Sequence, residues 1–224
     1  VVQTFLDLFE DPKYLEIGVL KGETFKRLKA KKKVAVDVCL NFDHAEHMKE
    51  QPESELHEMP SDKYFSDFVS KRTRFDVIFI DGLHTFEQTL RDLLNSISHL
   101  NEGGVIIVDD VRPFSYAASL PDMRLTVAVN KFTESPDAGW MGDVYKLVYF
   151  INTFLQSFTY YTIEENHGQT ILWLDQRKDS DIVHRRVEDI GRLPFETIAV
   201  DSASYNFLAF SEIVGKFRDC RTRT

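Results

Sequence analysis

Cysteine, glycine, proline, basic charge and long apolar runs are all scarce in this chain, and each scarcity excludes something. There are two cysteines in 224 residues, Cys39 and Cys220. Thiols so far apart, with no metal-type neighbours, make no disulfide framework, so a reducing cytoplasm is the expected setting. Ten glycines and seven prolines form no low-complexity linker, and no repeat is visible. No apolar run approaches a membrane span, and the opening VVQTFLDLFEDP lacks the pattern of a secretory leader. Lys and Arg number 27 against 36 Asp and Glu, a net charge of −9 that argues against nucleic acid as the main partner. The one basic cluster, Lys26 to Lys33 in KRLKAKKK, is expected at the end of a helix, where cations face water and favour the negative pole of the dipole. A phosphate-binding patch is the alternative reading.

What is present is an ordinary globular composition, 43% hydrophobic and 28% charged, on a chain long enough to bury a core. Short apolar runs predict strands at Tyr14–Gly18, Val34–Val38, Leu56–Met59, Phe75–Ile80 and Val105–Val108. Between them lie amphipathic stretches. The clearest is Thr85–Leu100, where Phe86, Leu90, Leu93, Leu94, Ile97 and Leu100 keep one face apolar, Thr85 serves as N-cap and Gly103-Gly104 stops the chain before the next strand. Such alternation predicts right-handed βαβ units. A helix near Gly142–Leu155 and strands at Phe158–Glu164 and Thr170–Asp175, joined by a turn at Asn166–Gly168, complete the pattern. The expected fold is α/β: a doubly wound, mostly parallel, seven-stranded Rossmann-like sheet with an antiparallel hairpin at its edge and a helical C-terminal tail. Residues 1–175 are expected to form the main domain. Residues 176–224 are expected to extend it, with helical patches at Ile182–Leu193 and Phe207–Phe217.

The first strand runs into Glu16-Ile17-Gly18-Val19-Leu20-Lys21-Gly22-Glu23-Thr24. Glycines between strand and helix let a backbone approach a ligand, or simply let the helix pack. The next strand ends at Asp37, about 20 residues on, where an acid binds ribose hydroxyls in nucleotide-binding sheets. The spacing E-x-G-x-x-x-G differs from the dinucleotide pattern G-x-G-x-x-G, and its acid suits a ligand carrying an amino group.

The fourth strand ends at Asp81 and the fifth at Asp109-Asp110. Parallel neighbours point their carboxyl ends the same way, so three acids converge and call for a cation. Oxygen ligands of this kind suit Mg²⁺ or Ca²⁺. The alternatives are that the acids cap helices, or that Asp110 pairs with Arg112. His44 and His47, in HAEH, are expected on one exposed helix face, and no histidine other than His84 is assigned a functional role.

These motifs resemble the class I S-adenosylmethionine-dependent methyltransferases. YLEIGVLKGET is similar to the first motif of the catechol O-methyltransferase branch, and IDGLHTFEQ to a small family related to catechol and macrolide-sugar O-methyltransferases. The resemblance spans residues 13–150. It implies that Glu16, Gly18 and Gly22, with Thr24 after them, border the methionine part of the cofactor. It likewise implies that Asp37 holds the ribose, that Ser61 and Asp62 lie by the adenine, and that Asp81, Asp109 and Asp110 hold a metal, Asp81 also bordering the cofactor. Many relatives carry His-Asp where this chain has Asp109-Asp110. His84 stands where relatives place a lysine or histidine base, and its alternative roles are to cap a helix or orient Asp81. Trp140-Met141-Gly142-Asp143-Val144-Tyr145-Lys146 resembles a W-x-G-D-V-[WY]-K run. There Trp140 is a lid or a buried anchor, Asp143 a helix cap or substrate contact, and Lys146 a second candidate for proton handling or a solvated lysine.

The expected function is therefore metal-assisted methyl transfer from S-adenosylmethionine to a hydroxyl of a small molecule or sugar, without membrane or nucleic acid; homo-oligomerisation is left open. The rivals are a metal-independent methyltransferase, a non-catalytic cofactor-binding scaffold of the same fold, and, disfavoured by the glycine spacing, a nicotinamide dehydrogenase.

Overall fold

Alternate residues of each central strand serve two different cores. Leu15, Ile17, Val34, Val36, Ile78, Ile80, Ile106 and Val108 lie in one, and Tyr14, Ala35, Val77, Phe79, Val105 and Ile107 in the other. Strands covered on both faces have no polar side to show, so they read as continuous apolar runs. In this computed structural model, which describes residues 1–136, 139–178 and 182–223, eight strands form one sheet. They are β1 (Lys13–Ile17), β2 (Lys32–Asp37), β3 (Ser54–Glu58), β4 (Phe75–Ile80), β5 (Leu100–Val108), β6 (Phe158–Ile163), β7 (Thr170–Leu174) and β8 (Phe207–Leu208). Their order is β3-β2-β1-β4-β5-β7-β6-β8. The first five pair in parallel, and β7 runs antiparallel to both β5 and β6.

Helices Phe86–Ser98 and Lys146–Phe154 supply the first core, while Val2–Leu6 and Phe210–Arg221 supply the second. The fold is therefore doubly wound, and the order in which strands are added reverses between β1 and β4. Ligands bind at that switch point in open α/β sheets. The register makes it a row: Ile17 pairs with Ile80, and Ile80 with Val108, so Gly18, Asp81 and Asp109 emerge side by side.

Several expectations need correction. The sheet has eight strands, because the tail adds β8 in parallel to β6 and so covers the hairpin that was expected at the edge. Gly103 and Gly104 do not stop the chain; they lie inside β5, which begins at Leu100, next to a register shift against β4. No regular helix follows β1; residues 23–27 make turns, with Lys26 N bonded to Gly22 O. The basic cluster is not wholly solvated either, since Lys33 is buried and donates to the carbonyls of Phe25 and Leu28. His47 is buried too, its Nε2 facing Ser54 Oγ at 3.1 Å.

On the helix after β4, Thr85 is the N-cap, accepting from Gln88 N. Its buried stripe is Phe86, Thr89, Asp92, Leu93 and Ser96, rotated away from the expected one, and Leu94 is exposed. The Gly142–Leu155 segment becomes helical only from Lys146. Within the tail, residues 179–181 and Thr224 lie outside the described residues, and the patch expected over Ile182–Leu193 is helical only at Val187–Gly191. The tail packs onto the rest of the chain through Tyr205 Oη, which donates to Val111 O at 2.8 Å, and Phe217, whose ring lies 5.3 Å from Phe5. Among the described residues no helix is long and apolar enough to cross a membrane.

Candidate active site

A cavity of about 910 Å³ opens at the carboxyl ends of β1, β2, β4 and β5. Its size suits a nucleoside-bearing ligand. Its floor is the glycine turn. Gly18 has φ +85°, and a Cβ there would stand 1.9 Å from the Asp81 carbonyl oxygen, so only glycine lets the ends of β1 and β4 meet. Asp37 fixes this turn from the next strand: Oδ2 accepts from Val19 N at 2.6 Å and Leu20 N at 2.8 Å, and Oδ1 from Cys39 N at 3.0 Å. Glu16 lies beneath, 2% exposed, its Oε2 accepting from Tyr14 Oη at 2.5 Å. Burial pushes its carboxyl up to about 8, against the opposing Tyr14 hydrogen bond and Lys33 charge.

The acids of β4 and β5 form the wall. Burial, and then the charges of Asp109 and Asp110, push the Asp81 carboxyl up to about 9. His84 Nδ1 pairs with Asp110 Oδ2. Asp109 Oδ1 accepts from Asp110 N at 2.9 Å and faces His167 Nε2 at 3.1 Å, while Oδ2 accepts from Gln169 Nε2 at 3.0 Å. Asp109 thereby raises the proton affinity of His167. Arg112 turns aside to donate to Glu164 O, so it is not the partner of Asp110.

Donor atoms of Asp81, His84 and Asp110 lie within 4.8 Å of one another, as do those of Asp109, Asp110 and His167. Two carboxylates that close repel by about 3–4 kcal/mol even at an effective dielectric of 20. Each set, two carboxylates with an imidazole, fits a divalent cation, and the two sets share Asp110.

At the far end of the cavity, Ser61 Oγ donates to Asp92 Oδ1 at 2.6 Å, and Gln88 Nε2 bonds the same oxygen at 3.1 Å. Asp92 is 1% exposed, and burial pushes its carboxyl up to about 6, with the Ser61 and Gln88 hydrogen bonds opposing.

Of the residues singled out in the sequence, Glu16, Gly18, Thr24, Asp37, Ser61, Asp81, His84, Asp109 and Asp110 all line the cavity. Three do not. Gly22 is packed against Phe42 and Lys26. Asp62 points to Gln88 and Arg91. Lys146 is held by Asp143 Oδ2 at 2.8 Å and Gly191 O at 2.9 Å. The Trp140–Lys146 run acts from behind. Gly142, at φ +62°, passes so close to the His84 carbonyl that a Cβ would lie 1.5 Å from its oxygen. Asp143 caps a helix, though the Phe86–Ser98 helix rather than its own. Trp140 Nε1 is anchored on Leu120 O at 2.7 Å, and its ring lies 5.1 Å from His84.

Sequence reasoning missed Gln88, Asp92, Met123 and His167, all of which line the cavity. Gln88 and Asp92 share a helix face with Thr85, one turn apart, which was a usable signal. His167 had none, because only the pairing of β7 with β5 brings the hairpin tip to Asp109.

A family model described as a methyltransferase domain matches residues 15–111. Among solved structures the chain is similar to the O-methyltransferase TomG from Streptomyces achromogenes, involved in tomaymycin synthesis and in complex with SAM. The two share 18% identity over 73% of each chain, with a TM-score of 0.50. It is also similar to cofactor-bound Rv0187 from MTB, at 19% identity over 78% of this chain and 80% of that one, with a TM-score of 0.51. At such identities the likeness is one of fold. None of the curated proteins matches the sequence.

Proposed function

We propose that this chain, which a methyltransferase-domain model matches over residues 15–111, transfers a methyl group from S-adenosylmethionine to a hydroxyl of a small molecule with the help of a divalent cation. The observation that carries the proposal is a pair of donor sets sharing Asp110, one with Asp81 and His84 and the other with Asp109 and His167, in one cavity beside the glycine turn. Seven carboxylates line the cavity against one lysine, Lys21, which suits a ligand bearing both a sulfonium and an ammonium group. The bare Gly18 backbone would let the cofactor approach the sheet edge, with Glu16 and Asp37 supplying acceptors beside its amino group and ribose. Ser61, Gln88 and Asp92 would border the base.

The cofactor supplies an already activated methyl, so the chain's task is mainly to hold donor and acceptor in line. A dication at Asp81, Asp109 and Asp110 would supply Lewis acidity and orientation for the acceptor hydroxyl, favouring a substrate with two adjacent oxygens. His84 Nδ1 faces Asp110, which leaves Nε2 as the atom to take the hydroxyl proton, while Asp110 fixes the orientation of the ring. Lys146, tied to Asp143 and Gly191, is not assigned that role.

Methyl transfer from labelled S-adenosylmethionine to a panel of catechols and vicinal diols tests the proposal. His84→Ala should lower kcat by about 10²–10⁴-fold. EDTA should abolish turnover and added dication restore it. Transfer that ignores EDTA would replace it with a metal-independent mechanism. That second reading draws on His84 paired with Asp110 and His167 facing Asp109, two contacts that can offset the carboxylates on their own.

A further inference from the structure

The tip of the β6–β7 hairpin stands over the end of β5, and its placement is built rather than incidental. Asn166 Oδ1 accepts from Gly168 N at 2.9 Å and Gln169 N at 3.3 Å, closing an Asx turn. Gly168 O in turn accepts from Val111 N at 3.1 Å, one residue past Asp110. The turn is thus fastened to the loop that carries the paired acids. Gln169 grips Asp109 Oδ2, and His167 brings Nε2 to 3.1 Å from Asp109 Oδ1.

We infer that His167 is a metal ligand, its Nε2 joining Asp109 and Asp110 around the dication proposed above. The inference rests on that metal reading and adds to it a residue from a different part of the chain. Two cis donors on bonds of about 2.1 Å to one ion lie about 3 Å apart. The His167–Asp109 separation matches that spacing, and the donor atoms of Asp109, Asp110 and His167 fall within 4.8 Å of one another. Gln169, by holding the other Asp109 oxygen, leaves Oδ1 turned toward the ion position. An imidazole among carboxylates also changes the metal expected: nitrogen donors suit first-row transition ions better than Mg²⁺, which prefers oxygen.

The test uses Mn²⁺ as the probe on the full chain, with binding followed by calorimetry and nitrogen coordination by pulsed electron paramagnetic resonance. His167→Ala is compared with Asp81→Asn and wild type. His167 is 58% exposed at a turn, so its variant should fold, and an unchanged melting temperature checks this. The wild type should bind one Mn²⁺ with imidazole ¹⁴N modulation. In His167→Ala that modulation should vanish and the affinity fall by about tenfold or more. Mn²⁺ binding without ¹⁴N modulation, or with modulation that survives in His167→Ala, overturns the inference while leaving the metal reading intact. No Mn²⁺ binding by the wild type overturns both.

Discussion

Asp143 and Phe86 lie 57 positions apart and are joined by one hydrogen bond, in which Asp143 Oδ1 accepts from the Phe86 backbone N–H at 2.8 Å. The second oxygen of the same carboxylate takes the Lys146 ammonium at 2.8 Å. One buried acid therefore anchors the start of the helix that follows the Asp81–His84 loop, and so the loop itself. Asp143→Ala removes a cap, worth about 0.5–2 kcal/mol, and leaves Lys146 charged at 12% exposure. The expected loss is about 2–4 kcal/mol in denaturant unfolding. Asp143→Ala with Lys146→Met should recover part of it. A double variant no more stable than the single one would mean that the ion pair contributes nothing.

Gly18→Ala tests the glycine turn. The new Cβ would have to displace the Asp81 carbonyl from 1.9 Å, at a backbone φ of +85° that other residues resist. Destabilisation of about 2–4 kcal/mol is expected from strain and overpacking together. Cofactor affinity should fall at least tenfold, because Asp81 and the turn both line the cavity proposed for the cofactor. A Gly18→Ala protein with native stability and affinity would show that β1 and β4 need no such contact.

Asp92 gives the apo protein a pH dependence with a definite sign. Its carboxyl is raised to about 6 in the folded chain, mainly by burial. The folded state therefore binds more protons than the unfolded one between about pH 4 and 6. Stability from this group is fully present below the unfolded value and is lost as pH rises through the folded one. Asp92→Asn, which keeps an acceptor for Ser61 and Gln88, should flatten that window. It should raise stability at pH 7.5 by about 1–3 kcal/mol. Thermal unfolding across pH 4–8 checks it, and parallel profiles for variant and wild type would contradict it.

The sheet was legible because buried parallel strands cannot hide. VAVDV and FDVIFI have no polar face, and Thr85 sits where a cap should. The meeting of Asp81, Asp109 and Asp110 followed from strand direction alone, since parallel neighbours must deliver their ends together. What escaped depended on partners distant in sequence. Gly103 and Gly104 look like a stop but tolerate a strand beside a register shift. Lys33 reads as one more exposed cation in KRLKAKKK until its ammonium finds two backbone carbonyls inside. His167 looks like a turn residue, and only pairing of β7 with β5 carries it to Asp109. Strand ends are local information, whereas hairpin tips depend on tertiary register.

In the mechanism proposed above, the cavity over the glycine turn holds S-adenosylmethionine. The direct measurement is calorimetric titration of S-adenosylhomocysteine into the purified chain, repeated with EDTA and with Gly18→Ala. Saturable binding of one ligand per chain is expected with and without EDTA, weakened at least tenfold in Gly18→Ala. No binding of S-adenosylhomocysteine under either condition, with NAD binding in its place, would contradict it.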